Sequence, residues 1–382
     1  MAQLATIRRL FRVAKVVGIV GARQVGKTTL ARAFARNQGG TVMSFDLEDP
    51  DVVARLEDPM IVLRPLRGLV IIDEIQRRPE LFPALRVLAD RPRTPARFLV
   101  LGSASPDLLR QTSESLAGRI AYHHLTGLSL IEVGPRALDR LWLRGGFPTA
   151  FLARSDAESD LWRRELSRTY LERDLPELGV TVPSATLRRF WTMLAHWHGQ
   201  IWNASEFGRA FGVADTTVRR YLDLLAATFV IRVLPPFHEN LSKRQVRSPK
   251  VYFSDTGLLH SFLGLRTLGD LLEHPRLGAS WEGFALEQVV SVLGARPDEC
   301  YFWATHTGAE LDLLVVRGRR RLGFEFKRTE GPRVTPSVRS ALEDLGLDAL
   351  NIVHAGTETF PLAERVRALA LRRIVDDLKP LR

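Results

Sequence analysis

From residue 16 to about residue 130 the chain alternates short, wholly apolar runs with stretches of helical periodicity. That rhythm predicts strand–helix–strand units and a parallel sheet with both faces covered. The strand candidates are 16–20, 41–45, 69–72, 98–101 and 124–128, with a helix over 29–36. From about Asp139 to Ala227 the pattern is helical, with Arg and Trp interspersed and few β-branched runs. Pro235-Pro236 closes that region, a Lys/Arg-containing loop follows, and residues 250–254 read as a strand. From about Gly278 the order becomes one helix, three strands, one helix and one strand. Breaks near 135–155 and 265–278 divide the chain into segments 1–150, 151–270 and 271–382.

At ~100–200 residues per domain, 382 residues also imply two or three domains. Hydrophobic residues at 45% and charged residues at 25% exclude a disordered, collagenous or disulfide-stapled chain. Cys300 has no partner for an internal disulfide, which points to the cytoplasm. No run reaches the ~18 apolar residues of a membrane span, so no membrane partner is expected. The first 45 residues carry no Asp or Glu and mimic a transit peptide. Their apolar patch at 16–20 runs directly into a phosphate-binding motif, which argues against that reading.

The net charge of +11 is uneven. Residues 1–150 hold 22 basic and 14 acidic groups, 151–270 hold 16 and 13, and 271–382 hold 16 of each. The excess suggests a polyanionic partner for the first two segments. Of 54 basic residues only six are Lys: Lys15, Lys27, Lys243, Lys250, Lys327 and Lys379. A chain that otherwise uses Arg marks each retained Lys as a place for a compact ammonium.

Gly21-Ala22-Arg23-Gln24-Val25-Gly26-Lys27-Thr28, followed by Thr29, fits the phosphate-loop pattern between a strand and a helix. Its backbone N–H groups and helix N-terminus would cradle phosphates, Lys27 would reach the β- and γ-phosphates, and Thr28 would ligate Mg²⁺. Residues 69–74 give a buried strand ending in Asp73 and Glu74, at the sheet edge where such folds bind ligands. Asp73 would hold Mg²⁺ through water, and Glu74 would deprotonate the attacking water. Ser103, after the strand at 98–101, is placed to meet that water or the γ-phosphate; a plain turn serine fits the position as well.

These motifs, with Ile-Ile-Asp-Glu-Ile-Gln at 71–76, Leu-Gly-Ser-Ala-Ser at 101–105 and Leu-Ala-Gly-Arg at 116–119, resemble the AAA-type ATPases of bacteria and archaea. The resemblance continues through Arg144-Gly145-Gly146-Phe147-Pro148 and Tyr170-Leu171-Glu172-Arg173-Asp174 and covers essentially the whole chain. It implies a homo-oligomer, a hexameric ring among the forms, in which a neighbour's Arg completes the site. Arg119 is the position matching that role, with Arg173 second; a local carboxylate partner is the structural alternative for Arg119.

In the middle segment, Asn203-Ala204-Ser205-Glu206 reads as a capping box, Gly212-Val213 as a turn, and Asp215 as the start of a second helix. Val218, Leu222 and Leu225 fall on its inner face, leaving Thr216, Thr217, Arg219, Arg220 and Asp223 outward. That is a helix-turn-helix pattern, and strands at 229–234 and 250–253 would add a wing. The intervening 242–250 holds four basic residues and no acidic one. Such a fold contacts DNA or serves as a protein-interaction module.

In the last segment, residues 310–316 and 321–327 flank Gly318. A two-residue Gly318-Arg319 turn makes paired residue numbers sum to 637, setting Asp312 opposite Glu325 and Glu310 opposite Lys327. Three carboxylates and a lysine on one face suit a divalent cation: Asp312 and Glu325 as ligands, Lys327 acting on water or the scissile phosphate. The pattern resembles the PD-(D/E)xK nuclease superfamily, with Glu282 matching its frequent extra acid. A salt-bridged strand pair in an inactive nuclease fold is the alternative.

The expected architecture is therefore α/β: a P-loop NTPase domain of AAA type, a helical and winged-helix middle, and a restriction-endonuclease-like α/β terminal domain. The expected function is Mg²⁺-dependent ATP hydrolysis acting on duplex or branched DNA, with a terminal domain that binds or cuts it. The other reading is a signalling or scaffold ATPase whose inactive nuclease fold and winged helix bind protein.

Overall fold

The computed structural model describes residues 2–92, 96–103, 116–177, 182–238 and 246–381. The chain forms two compact units, one of residues 1–127 with 227–229 and the other of 128–226 with 230–382.

In the first unit, five parallel strands lie in the order β2-β3-β4-β1-β5: β1 (Val16–Gly21), β2 (Val42–Asp46), β3 (Gly68–Asp73), β4 (Ala96–Ser103) and β5 (Ile120–His124). Their unbroken apolar runs follow from burial on both faces. Val17, Ile19, Leu69, Ile71, Leu99 and Leu101 pack with Ile7 and Phe11 of α1 (Ala2–Val13) and Phe34 of α2 (Lys27–Arg36). The alternate residues Val16, Val70, Ile72, Phe98 and Val100 pack with Leu81, Phe82, Leu85 and Leu88 of α3 (Leu81–Ala89). Each such side chain contributes ~1.5–3 kcal/mol by leaving water. The last strand lies earlier than the expected 124–128, because His123 and His124, polar in the sequence, end a strand paired to β1. His123 is buried, and that burial pushes its imidazole down to about 4, so it sits neutral in the sheet.

The second unit holds two sheets. The smaller has the order β6-β8-β7, from β6 (Gln200–Ile201), β7 (Ile231–Leu234) and β8 (Lys250–Phe253). The larger has the order β13-β14-β12-β11-β10-β9: β9 (Cys300–Ala304), β10 (Glu310–Arg317), β11 (Arg320–Lys327), β12 (Ala349–His354), β13 (Phe360–Ala363) and β14 (Val366–Ala370). One core joins them: Trp142 of α4 (Leu138–Arg144) and Tyr252 of β8 lie in the same cluster as Trp281 and Phe284, Phe302 and Phe324. The expected break near 265–278 lies within this unit.

Helices α5 (Ser184–His196), α6 (Ala204–Phe211) and α7 (Asp215–Ala227) pack around Phe190, whose ring meets Trp202, Phe207, Phe211 and Tyr221. Asn203 caps α6 by accepting from Glu206 N, and Gly212 turns the chain in the left-handed region. On α7, Val218, Leu222 and Leu225 are buried while Thr216, Arg219, Arg220 and Asp223 are exposed, as the periodicity predicts; Thr217, expected outward with them, is half-buried.

The Arg144–Pro148 motif is a structural clasp. Asp255, which caps α8 (Thr256–Leu263) through Leu258 N, also accepts from Gly146 N at 2.6 Å. Its carboxylate leaves no room for a side chain at Gly145, where φ is 79°. Buried Arg163 donates to the carbonyls of Leu143 and Gly257. Trp142 Nε1 donates to Ser280 Oγ on α9 (Leu277–Leu293), and His260 Nε2 lies 2.7 Å from that oxygen.

Candidate functional site

The carboxyl ends of β1, β3 and β4 adjoin, with Gly21 beside Ser103 in the β1–β4 register. From β1 the chain passes through exposed Gln24, at φ 60°, and Gly26, at φ 104°, into α2. Gly26 is required because a side chain at that φ is strained. Ala22 and Arg23 are half-buried, Val25 is buried, and Thr29 lies exposed in the first turn. Buried Lys27 donates to the carbonyls of Gly21 at 3.2 Å and Ala22 at 3.0 Å, which keeps its ammonium over the loop. Burial lowers its pKa, and Glu74 and Asp73 work against that shift.

Thr28 and Asp73 meet although 45 residues separate them: Thr28 Oγ1 donates to Asp73 Oδ2 at 2.7 Å. The other Asp73 oxygen accepts from Glu74 N at 3.0 Å. A hydroxyl and a carboxylate in contact are the hard oxygen pair that Mg²⁺ takes at one or two positions, its waters completing the shell. These residues fit that ion. Glu74 has φ 53° and ψ 45°, a left-handed conformation costing about 1–3 kcal/mol for a non-glycine residue. Gln76 Nε2 donates to its Oε2. Gln76 and Glu48, which pairs with Arg77 at 3.1 Å and Arg23 at 3.8 Å, were not expected from the sequence. The backbone of Ser103 ends β4 beside the loop; its side chain lies outside the described residues.

Arg119 has the local carboxylate partner that was the structural alternative to a finger. Its Nε donates to Asp90 Oδ1 at 2.6 Å and its Nη1 to Ala117 O at 2.9 Å. Arg173 Nε lies 3.5 Å from Asp174 Oδ1.

In the second unit the β10–β11 register runs from Leu313 with Phe324 to Arg317 with Arg320, the expected sum of 637. Beyond it, β10 shifts against β9. Leu311 pairs with Trp303 and Leu314 with Tyr301, so Asp312 and Leu313 oppose the single residue Phe302. Such a bulge re-aims a side chain. Asp312 is buried; its Oδ2 accepts from Phe326 N at 3.0 Å and its Oδ1 lies 3.3 Å from Lys250 Nζ. That ammonium also lies 3.3 Å from Glu282 Oε1 and pairs with Glu310. Tyr252 donates to Glu282 Oε1 at 2.6 Å. Glu325 pairs instead with Lys327, at 2.8 Å, and its Oε2 is buried with no hydrogen-bond partner.

The structure thus brings Glu282, Glu310 and Asp312 together around Lys250, and keeps Glu325 with Lys327. Burial, then repulsion from Asp312, pushes Glu282 up to about 7 and Glu325 up to about 8. Asp312 and Glu282 already share the Lys250 ammonium and Glu325 is paired with Lys327, so this set, as arranged, is neutralised by its own lysines and does not fit a divalent cation. Among the described residues no group of three or more His, Cys, Asp or Glu side chains is arranged to hold a metal ion. Along the chain Lys250 closes the basic loop, and its one signal in the sequence is being Lys where Arg predominates.

The described residues on either side of 239–245 are hydrogen-bonded to the larger sheet. Phe237 N donates to Phe302 O at 2.7 Å and Val246 N to Ala304 O at 3.1 Å, while 239–245, with Lys243 and Arg244, lies outside the described residues. Among the described residues no helix is long and apolar enough to cross a membrane.

Residues 13–134 match the AAA domain family. Residues 135–269 and 277–374 match two domains of unknown function, DUF8612 and DUF4143. The chain is 52% identical over 371 residues to the uncharacterised proteins Rv2008c of Mycobacterium tuberculosis and Mb2031c of Mycobacterium bovis, covering 97% of this chain and 83% of each relative. Among solved structures it resembles the Walker-type ATPase PABY2304 of Pyrococcus abyssi, at 15% identity and a TM-score of 0.46, over 69% of this chain and 95% of that one.

Proposed function

We propose that this chain, which belongs to one family with the uncharacterised mycobacterial proteins Rv2008c and Mb2031c, is a Mg²⁺-dependent ATP hydrolase acting on DNA. The observation that carries the hydrolase is the 2.7 Å bond between Thr28 and Asp73, which joins a phosphate loop to a strand-end carboxylate with Glu74 next to it. Thr28 and Asp73 would hold Mg²⁺, which supplies charge neutralisation at the phosphates. The loop N–H groups and Lys27 bind and orient the phosphates. Glu74 takes the proton of the attacking water, and Gln76 positions Glu74 for it. Arg119 would act on a neighbouring subunit after leaving Asp90, giving a homo-oligomer.

DNA action rests on the order α5-β6-α6-α7-β7-β8, the sequence of a winged helix, and on α7 exposing Thr216, Arg219 and Arg220. Those groups suit phosphates and base edges. One observation favours the second reading, a scaffold ATPase that binds protein: Phe237 and Val246, on either side of 239–245, are hydrogen-bonded to β9. Fluorescence anisotropy with labelled duplex and branched DNA, titrated with salt, tests the first reading. Binding that weakens steeply with salt is expected, and no binding at low salt overturns it.

A further inference from the structure

The three carboxylates around Lys250 come from α9 and β10, while the lysine comes from β8, 32 residues before Glu282 and 62 before Asp312. An ammonium has three N–H donors. Here it faces three carboxylates: Glu282 and Asp312 at 3.3 Å each, and Glu310 in direct contact. The Phe302 ring, 5.8 Å away, adds its π-face.

We propose that the Lys250 ammonium is the resident cation of this cluster, filling the position a divalent metal would need and fastening the 135–269 region to a terminal module that carries no metal. The inference goes beyond the ATPase reading and does not depend on it.

The backbone gives the lysine no way to withdraw. β8 is the central strand of its sheet, and Lys250 pairs with Ile201 on one side and Leu234 on the other. Its side chain is only 4% exposed, so a displaced ammonium would leave three carboxylate partners for a largely buried surrounding. Stranding a buried charge in that way is strongly unfavourable. A divalent cation held by Asp312 and Glu282 would compete with the ammonium for the same two carboxylates, Asp312 Oδ1 and Glu282 Oε1, each 3.3 Å from Nζ. The residue type fits the geometry. Three carboxylates converging on one point suit a compact ammonium, whereas a planar guanidinium suits paired, forked acceptors. The pair Arg232–Glu287, at 2.5 and 2.8 Å in the same unit, is such a fork. This explains a lysine at 250 in a chain with 48 arginines.

The wild-type protein supplies the first test, acetylation by an N-hydroxysuccinimide ester read by peptide mass spectrometry. Half-exposed Lys327 should label, and Lys250 should label about 100-fold more slowly or less, with and without millimolar Mn²⁺. Labelling of Lys250 that rises on adding Mn²⁺ would overturn the proposal, because the metal would then be evicting the lysine. A second test counts bound Mn²⁺ by electron paramagnetic resonance in the nucleotide-free chain. Lys250→Met, if it folds by circular dichroism, should bind one Mn²⁺ more than wild type, and adding Asp312→Asn should abolish that gain. A folded Lys250→Met without the extra ion, or wild-type binding that Asp312→Asn removes, also sinks the idea. If Lys250→Met does not fold, the labelling result decides alone.

Discussion

Arg119 Nε lies 2.6 Å from Asp90 Oδ1, so the arginine proposed as a finger is held by a carboxylate of its own unit. Both groups are partly exposed, so the pair is screened and exchangeable rather than a fixed strut. In the proposed oligomer, serving another subunit would require Asp90 to let go.

Arg119→Ala should lower ATP turnover by about 10³-fold or more if the finger acts, with nucleotide affinity nearly unchanged. Asp90→Ala should leave turnover at least as high as wild type, because it frees the arginine. Mixing Arg119→Ala with Glu74→Gln subunits should restore part of the activity. Steady-state assays without rescue, together with a monomeric mass in solution, would remove the shared site.

At the phosphate loop, Lys27→Ala should abolish both tight ATP binding and turnover. Glu74→Gln should keep binding and lose about 10²–10⁴-fold in rate, since a base acts on the water and not on the bound nucleotide. Isothermal calorimetry beside a phosphate-release assay separates the two. Normal turnover in Glu74→Gln would move the base elsewhere.

For DNA, Arg219→Ala and Arg220→Ala should each flatten the plot of log affinity against log salt by about one unit for every phosphate that the arginine neutralises. Unchanged slopes in both variants would take α7 out of the interface.

Two buried histidines are expected to make the second unit sensitive to acid. Burial pushes His198 and His260 down to about 3, well below the unfolded imidazole near 6.5. The unfolded chain then binds more protons between those values, so stability is lost as pH falls from about 6.5 toward 3. His198 Nδ1 accepts from Phe253 N at 2.9 Å, a role an amide oxygen can fill. His198→Asn should therefore flatten the pH dependence of urea melts between pH 7 and 4. An equally steep dependence in the variant would assign the protons to other groups.

The phosphate loop, the strand ending in Asp73 and the 637 register were legible because each is local: fixed spacing, a continuous apolar run, one turn at Gly318. The inner face of α7 was legible for the same reason, a period of 3.6. Glu74 in the left-handed region and the bulge at Asp312 were not, because tertiary packing imposes both on residues with no such preference. The gathering of Lys250, Tyr252, Glu282 and Asp312 was hidden by distance along the chain. Period-two reasoning placed Glu310 opposite Lys327, whereas Glu310 pairs with Lys250, from a strand the spacing did not bring in, and Lys327 with Glu325.

The common core of the second unit bears on how this protein can change over generations. Trp142 and Trp281, 5.2 Å apart and edge to face, belong to different matched domains. So do Lys250 and Asp312. A recombination event joining residues 135–269 of one relative to the terminal module of another would pair walls shaped for different neighbours, and would bury carboxylates beside a side chain not chosen for them. Two domains that read as separable in sequence are therefore inherited safely only as a pair.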